Sequence, residues 1–299
     1  MLLRRFPQLR WPARAAQRLS VGAALLAGSV DAAETLRVQG SPVVAKVITG
    51  AIPVLRQEAE IEIKLATEAN TTQAIMAVGA GIAEVAMATR ALTGEDRAGF
   101  PDSRFHEVQI GSQAVVLAVP TDVWNSGVRA ITKEQAVAVY QGKVKNWQQL
   151  GGEDRPIKFY NVPRGLGVWE LFGTWLYGDL RRAPLGKFEI VTSLEDARTT
   201  VEFNAGSISL LTPRDVDGKS IFALGITLPD GSLVAATPEH FRSGKYPMIR
   251  PLYLIAGKRP LAGVKRLFEF MQTSRGQALV ADAGFVPLEQ TAVQQSAAE

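Results

Sequence analysis

The sequence predicts an α/β fold, and three observations carry that reading. Short strand-like and helix-like stretches alternate from residue 36 to the final third. Ala114 to Val119 (AVVLAV) is an unbroken apolar run, as expected of a central strand covered on both faces. Composition is that of an ordinary globular protein: 299 residues, 46% hydrophobic and 21% charged.

The elements follow in order. Leu36 to Gln39 is a short alternating strand. After Gly40, Ser41 is a good helix cap and Pro42 suits the first helical position, so a helix runs from there through Leu55. Ile61 to Leu65 alternates strictly and reads as a strand with one covered face. A second helix spans about Thr71 to Val78, and Glu84 to Ala88 is a third strand. Thr132 to Tyr140 is helical, with Thr132 as cap and Glu134 and Gln135 near its start. Ile157 to Tyr160 is a strand. Gly165-Leu166-Gly167 makes a tight turn before a helix over Val168 to Tyr177. Ser207 to Leu211 and Pro251 to Ala256 are strands, and two helices cover Gly263 to Met271 and Ser274 to Ala283. Residues after Gln290 are small and polar and form a frayed tail.

Charge sits unevenly. The chain has 33 Lys+Arg and 29 Asp+Glu, but Arg4, Arg5, Arg10, Arg14 and Arg18 face a single acid, Asp31, within the first 32 residues. The remainder is neutral, which leaves no concentrated basic surface for nucleic acid. The Arg-rich start, the short apolar run Leu19 to Ala27 and the small residues up to Ala32 follow the order of a secretory signal. The run is too short to span a bilayer. The expectation is a soluble exported protein beginning near Ala33. With no cysteine and only His106 and His240, thiolate and His-rich metal sites are excluded, as are disulfides and a Cys nucleophile. No G-x-S-x-G, H-E-x-x-H or Walker A pattern is present, so the chain is read as no enzyme, with neither cofactor nor metal.

Seven pieces, in order, resemble one family: GSPVVAKVITG (from Gly40), EVAMATRAL (from Glu84), IGSQAVVLAVP (from Ile110), ITKEQAVAVYQGKVKNWQQLGG (from Ile131), VEFNAGSISLL (from Val201), SGKYPMIRPLYLI (from Ser243) and FMQTSRGQALVADAGFVPL (from Phe270). Together they resemble the periplasmic phosphate-binding proteins of ABC phosphate importers. The resemblance implies a type II periplasmic-binding-protein fold, two α/β lobes joined by two crossing strands. It divides the chain into a signal peptide (1–32), a first lobe in two parts (33–119 and 214–290), a second lobe (120–213) and the tail (291–299). The strand ending at Val119 would be the first crossing, and the return would follow Leu211.

The resemblance also implies a function and a site. The chain would capture phosphate or another small oxyanion in the periplasm and deliver it, as a monomer, to an inner-membrane ABC permease. The competing reading is a sensory or interaction protein with an altered or empty pocket. The ligand would meet helix N-termini, whose unpaired N–H groups and dipole favour an anion. The first such turn offers Ser41 and Pro42, with Ser41 equally a plain helix cap. The second offers Asn70, Thr71 and Thr72, which also serve as caps; Glu68 stands at or near a serine of the family and would repel a dianion if it faced the pocket. Arg90 suits a bidentate oxyanion contact, or else a structural salt bridge. The third turn offers Arg164, Gly165, Leu166, Gly167 and Val168, where Leu166 and Val168 replace two hydroxyl residues of the family and Val162 replaces its arginine. Trp124, Trp147, Trp169, Phe172 and Trp175 cluster in the expected second lobe, as core packing or as a stacking platform.

Overall fold

The computed structural model describes residues 34–164, 166–184 and 188–289. The signal-like leader, Gly165 and the tail beyond Gln290 lie outside the described residues.

The chain first lays down β1 (Glu34–Gly40), α1 (Pro42–Glu58), β2 (Ile61–Ala66), α2 (Thr71–Gly79), β3 (Val85–Ala88), α3 (Gly94–Gly99) and β4 (His106–Ala114). It then builds β5 (Val116–Pro120), α4 (Thr121–Asn125), β6 (Ala130–Thr132), α5 (Lys133–Tyr140), β7 (Lys158–Asn161), α6 (Gly167–Tyr177), β8 (Glu189–Ile190), α7 (Leu194–Phe203) and β9 (Ser207–Leu211). After these come β10 (Ile221–Ala223), β11 (Gly225–Thr227), β12 (Leu233–Val234), α8 (Pro238–Arg242), β13 (Ile249–Ala256), α9 (Ala262–Gln272) and α10 (Ser274–Asp282).

Two five-stranded sheets organise the fold, ordered β2-β1-β3-β13-β4 and β10-β5-β9-β7-β8, beside a small sheet β12-β11-β6. In the first sheet β1 runs parallel to β2 and β3, while β13 is antiparallel to both β3 and β4. In the second, β7 is parallel to β8 and β9, and β5 is antiparallel to β9 and β10. The central strands β3, β5 and β9 are buried along their whole length, which is why β3 and β5 read as apolar runs rather than alternations; β9 instead buries Ser207 and Ser209 among its apolar residues. Helix α1 buries Val44, Val47, Ile48, Ala51 and Leu55, an i, i+3, i+4, i+7 stripe against the first sheet.

The sequence places the crossings elsewhere than the structure does. AVVLAV is not one strand. β4 ends at Ala114 in the first sheet and β5 begins at Val116 in the second; between them the Val115 N–H donates to the Met248 carbonyl at 3.0 Å. The return therefore lies at Met248, directly beside the outward crossing, and not after Leu211. The reason is strand pairing. β10 continues the second sheet on β5, and β11 pairs with β6, so residues 214–247 stay with the second lobe instead of returning to the first. Short strands such as β8, β10 and β12 carry too few residues for a periodic signal.

The aromatic cluster is core. Trp147 and Tyr140 are fully buried, Trp147 donates from Nε1 to the Gly206 carbonyl at 2.9 Å, and Tyr140 meets Phe172 edge-on with centroids 5.5 Å apart. Among the described residues no helix is long and apolar enough to cross a membrane.

Candidate functional site

A cleft of about 730 Å³ is lined from both lobes, by the N-terminal ends of α1 and α2 on the first sheet and of α6 and α7 on the second. In each case a strand delivers the chain to the cleft and a turn of a few residues starts the helix there.

At α1, β1 ends in Gly40 with φ of 135°. A Cβ there would lie 2.3 Å from the Met87 carbonyl oxygen and 2.9 Å from Ala74 Cβ. Only glycine lets β1 and β3 come this close and swing Ser41 into the cleft. Ser41 Oγ accepts from the Val43 N–H at 3.3 Å, and the Ser41 N–H donates to the Met87 carbonyl at 3.0 Å. At α2, Asn70 and Gln73 form a reciprocal capping box with both bonds at 3.0 Å. Thr71 Oγ1 accepts from the Thr89 N–H at 3.1 Å, and Thr72 Oγ1 accepts from Arg90 at 3.1 Å. The candidates Ser41, Pro42, Asn70, Thr71 and Thr72 all line the cleft.

The α6 turn differs from these. Leu166 occupies the cap position and supplies no side-chain cap. The first N–H groups of α6 are therefore left for a ligand or water. Leu166, Gly167 and Val168 line the cleft. Gly167 lets this helix end approach the first lobe: a Cβ there would stand 2.7 Å from Val43 Cγ2, 3.0 Å from Gln113 Nε2 and 3.2 Å from Arg250 Nη2.

Two charged candidates turn elsewhere. Arg90 Nη1 donates to Asp96 Oδ2 at 2.6 Å, and this bond from Arg90 holds the Asp96 carboxyl down at about 2. Arg164 donates to the Pro184 carbonyl at 2.6 Å and lies over the Trp169 ring, 4.8 Å from its centroid. Neither lines the cleft. Glu68 also lies outside it; its Oε2 accepts from the Thr67 N–H at 3.0 Å.

The cleft also contains residues that the sequence reading missed. Thr192, Ser193 and Leu194 bring the α7 N-terminus to it, with Ser193 Oγ accepting from the Asp196 N–H at 3.0 Å. The Ser-x-x-Asp spacing was the available signal. Gln113, at the end of β4, is 4% exposed and lines the cleft. Its Oε1 accepts from Arg250 Nε at 2.8 Å. Arg250, on β13, reaches Glu170 of α6 at 3.5 Å. Burial lowers the Arg250 pKa and Glu170 opposes that shift. Lys46 is an exposed cation lining the same space. Among the described residues no group of three or more His, Asp or Glu side chains could hold a metal ion. Four positive helix ends, hydroxyls and the Gln113 amide line one cleft, an arrangement suited to holding an anion.

Comparison with known proteins agrees with this fold. The phosphate-binding protein PstS of Staphylococcus epidermidis is 24% identical over 227 residues, covering 69% of this chain and 64% of that protein. PstS of Bacillus subtilis is 25% identical over 199 residues, covering 65% and 61%. The chain thus spans less than two thirds of the length of these curated relatives. Among solved structures, a possible phosphate-binding protein of Planctomyces limnophilus superposes with a TM-score of 0.74 at 18% identity, over 88% of this chain and 96% of that one. An ABC-type phosphate transport receptor of Vibrio cholerae gives 0.65 at 20% identity, over 84% and 99%. These likenesses show the two-lobed fold, and a PBP superfamily domain matches residues 27–275. The chain belongs to the PBP superfamily.

Proposed function

We propose that this protein is an extracytoplasmic solute-binding protein that captures phosphate or a related oxyanion and hands it to the permease of an ABC importer. The observation that carries the reading is the convergence of the α1, α2, α6 and α7 N-termini on one cleft. Each end contributes partial positive charge and N–H donors. The relatives named as phosphate-binding proteins support the same ligand class. The protein works as a monomer in the periplasm and catalyses no reaction. Ligand bridges the lobes, they close about the paired crossings at Val115 and Met248, and the closed shape is what the permease meets.

A thermal-shift series on the chain without residues 1–32 tests the reading. Ligand at 100 times its Kd adds about 2.7 kcal/mol of stability, a rise of roughly 5–10 °C in a domain of this size. Phosphate or another tetrahedral oxyanion is expected to give such a rise. A flat response to phosphate, sulfate and phosphonates alike would remove the anion-binding function.

A further inference from the structure

The geometry points to an oxyanion that carries an apolar substituent, with its anionic head held between Gln113 and the α6 N-terminus. This rests on the anion-binding reading above and narrows it.

The head site has two independent components. The first is the α6 end, which starts without a side-chain cap. The second is Gln113. Its side chain is buried, yet its Nε2 has no acceptor among the described residues. Arg250 decides which way the amide points. A guanidinium only donates, so the atom facing Arg250 Nε at 2.8 Å is the oxygen. The Nε2 end is thereby turned toward α6, 3.0 Å from where a Cβ on Gly167 would stand. An amide NH₂ on a buried side chain, turned toward an uncapped helix end, offers donors from both lobes that a bound oxyanion could accept.

The walls indicate what the head carries. At about 730 Å³ the cleft falls within the roughly 300–1,000 Å³ typical of pockets that enclose an organic molecule. Beside the head site stand Leu166, Val168, Leu194, Val43 and Phe285, all lining the cleft. Val43, Val168 and Phe285 are buried already, but Leu166 and Leu194 are only half-buried, and a bare inorganic anion has no apolar surface to place against those two. A substituent the size of a phenyl ring would cover them and bury its own surface at the same time. Leu166 and Val168 also flank Gly167, so the apolar wall adjoins the head.

Calorimetry with inorganic phosphate, methylphosphonate and phenylphosphonate tests the inference. The expected order is phenylphosphonate tightest, by at least tenfold over phosphate, with methylphosphonate between them. Leu166→Ala is expected to narrow the phenylphosphonate-to-phosphate ratio about fivefold. Gln113→Leu and Gln113→Glu are expected to weaken all three ligands by tenfold or more, Gln113→Glu keeping a side chain that Arg250 can hold. Phosphate binding as tightly as phenylphosphonate overturns the inference while leaving oxyanion capture intact. Binding of none of the three overturns the inference, and a flat sulfate response beside it overturns oxyanion capture as well. A ratio unmoved by Leu166→Ala, or affinities unmoved by both Gln113 variants, overturns the placement of the ligand.

Discussion

Replacing Gly40 with alanine tests the joint between the first sheet and the cleft. The residue has φ of 135°, where an L side chain is strained by ~1–3 kcal/mol. The new methyl would also stand 2.3 Å from the Met87 carbonyl oxygen and 2.9 Å from Ala74 Cβ. Neither neighbour is the free end of a flexible chain: Met87 is backbone of the buried strand β3, and Ala74 is fully buried on α2. Forcing them apart adds a further ~1–3 kcal/mol of overpacking. The two effects together predict about 2–6 kcal/mol of destabilisation. Gly81 provides the control. It also has a positive φ, 72°, but a Cβ there meets nothing within 4 Å, so Gly81→Ala should cost only about 1–2 kcal/mol of backbone strain. Urea unfolding followed by tryptophan fluorescence measures both variants. A Gly40→Ala cost no larger than that of Gly81→Ala would refute the close approach of β1 to β3.

Other expectations concern single contacts. Trp147→Phe removes one bond to the Gly206 carbonyl, which keeps the Lys158 N–H at 3.0 Å, and leaves a void in the core, so it should cost about 1–3 kcal/mol in urea unfolding. Asp96 is depressed to about 2, chiefly by its bond from Arg90. Its stabilisation is therefore complete above the unfolded value near pH 4 and disappears as pH falls toward 2. Screening at this partly exposed pair limits it to about 1 kcal/mol, so the stability gap between the native protein and Asp96→Asn should close between pH 5 and pH 2 in acid titrations. Glu68→Gln should change phosphate affinity by less than twofold in calorimetry, because Glu68 lies outside the cleft; a larger change would bring that carboxylate back to the ligand.

Features coded by neighbouring residues were readable in the sequence. Ser41-Pro42 and Thr132 with Gln135 announce their helices because caps are satisfied within three residues. The α7 end was overlooked for a local reason: its helix buries only Ala197 and Val201, too sparse a stripe to stand out. Gln113 could not have been found this way. Its partner Arg250 is 137 residues away, and nothing near Gln113 marks it as buried. The apolar run after it hid the crossing at Val115, since a linker packed between two lobes is as hydrophobic as a strand. At Arg90 both a ligand contact and a salt bridge were open; which carboxylate an arginine meets depends on the fold, here Asp96 six residues on.

The position of β13 governs when the protein can fold. Among the described residues it is the one strand that joins β4 to the rest of the first sheet, and it is made after residue 248. A nascent chain that has produced β1, β2, β3 and β4 holds a β3 edge and a detached β4 with no partner for either. The second lobe, continuous from Val116 to Tyr246, lacks that constraint. Closure of the first sheet must span more than 130 residues, a long-range step that slows folding. The same delay prolongs the extended state that a chain must keep if it is to be threaded across a membrane before folding.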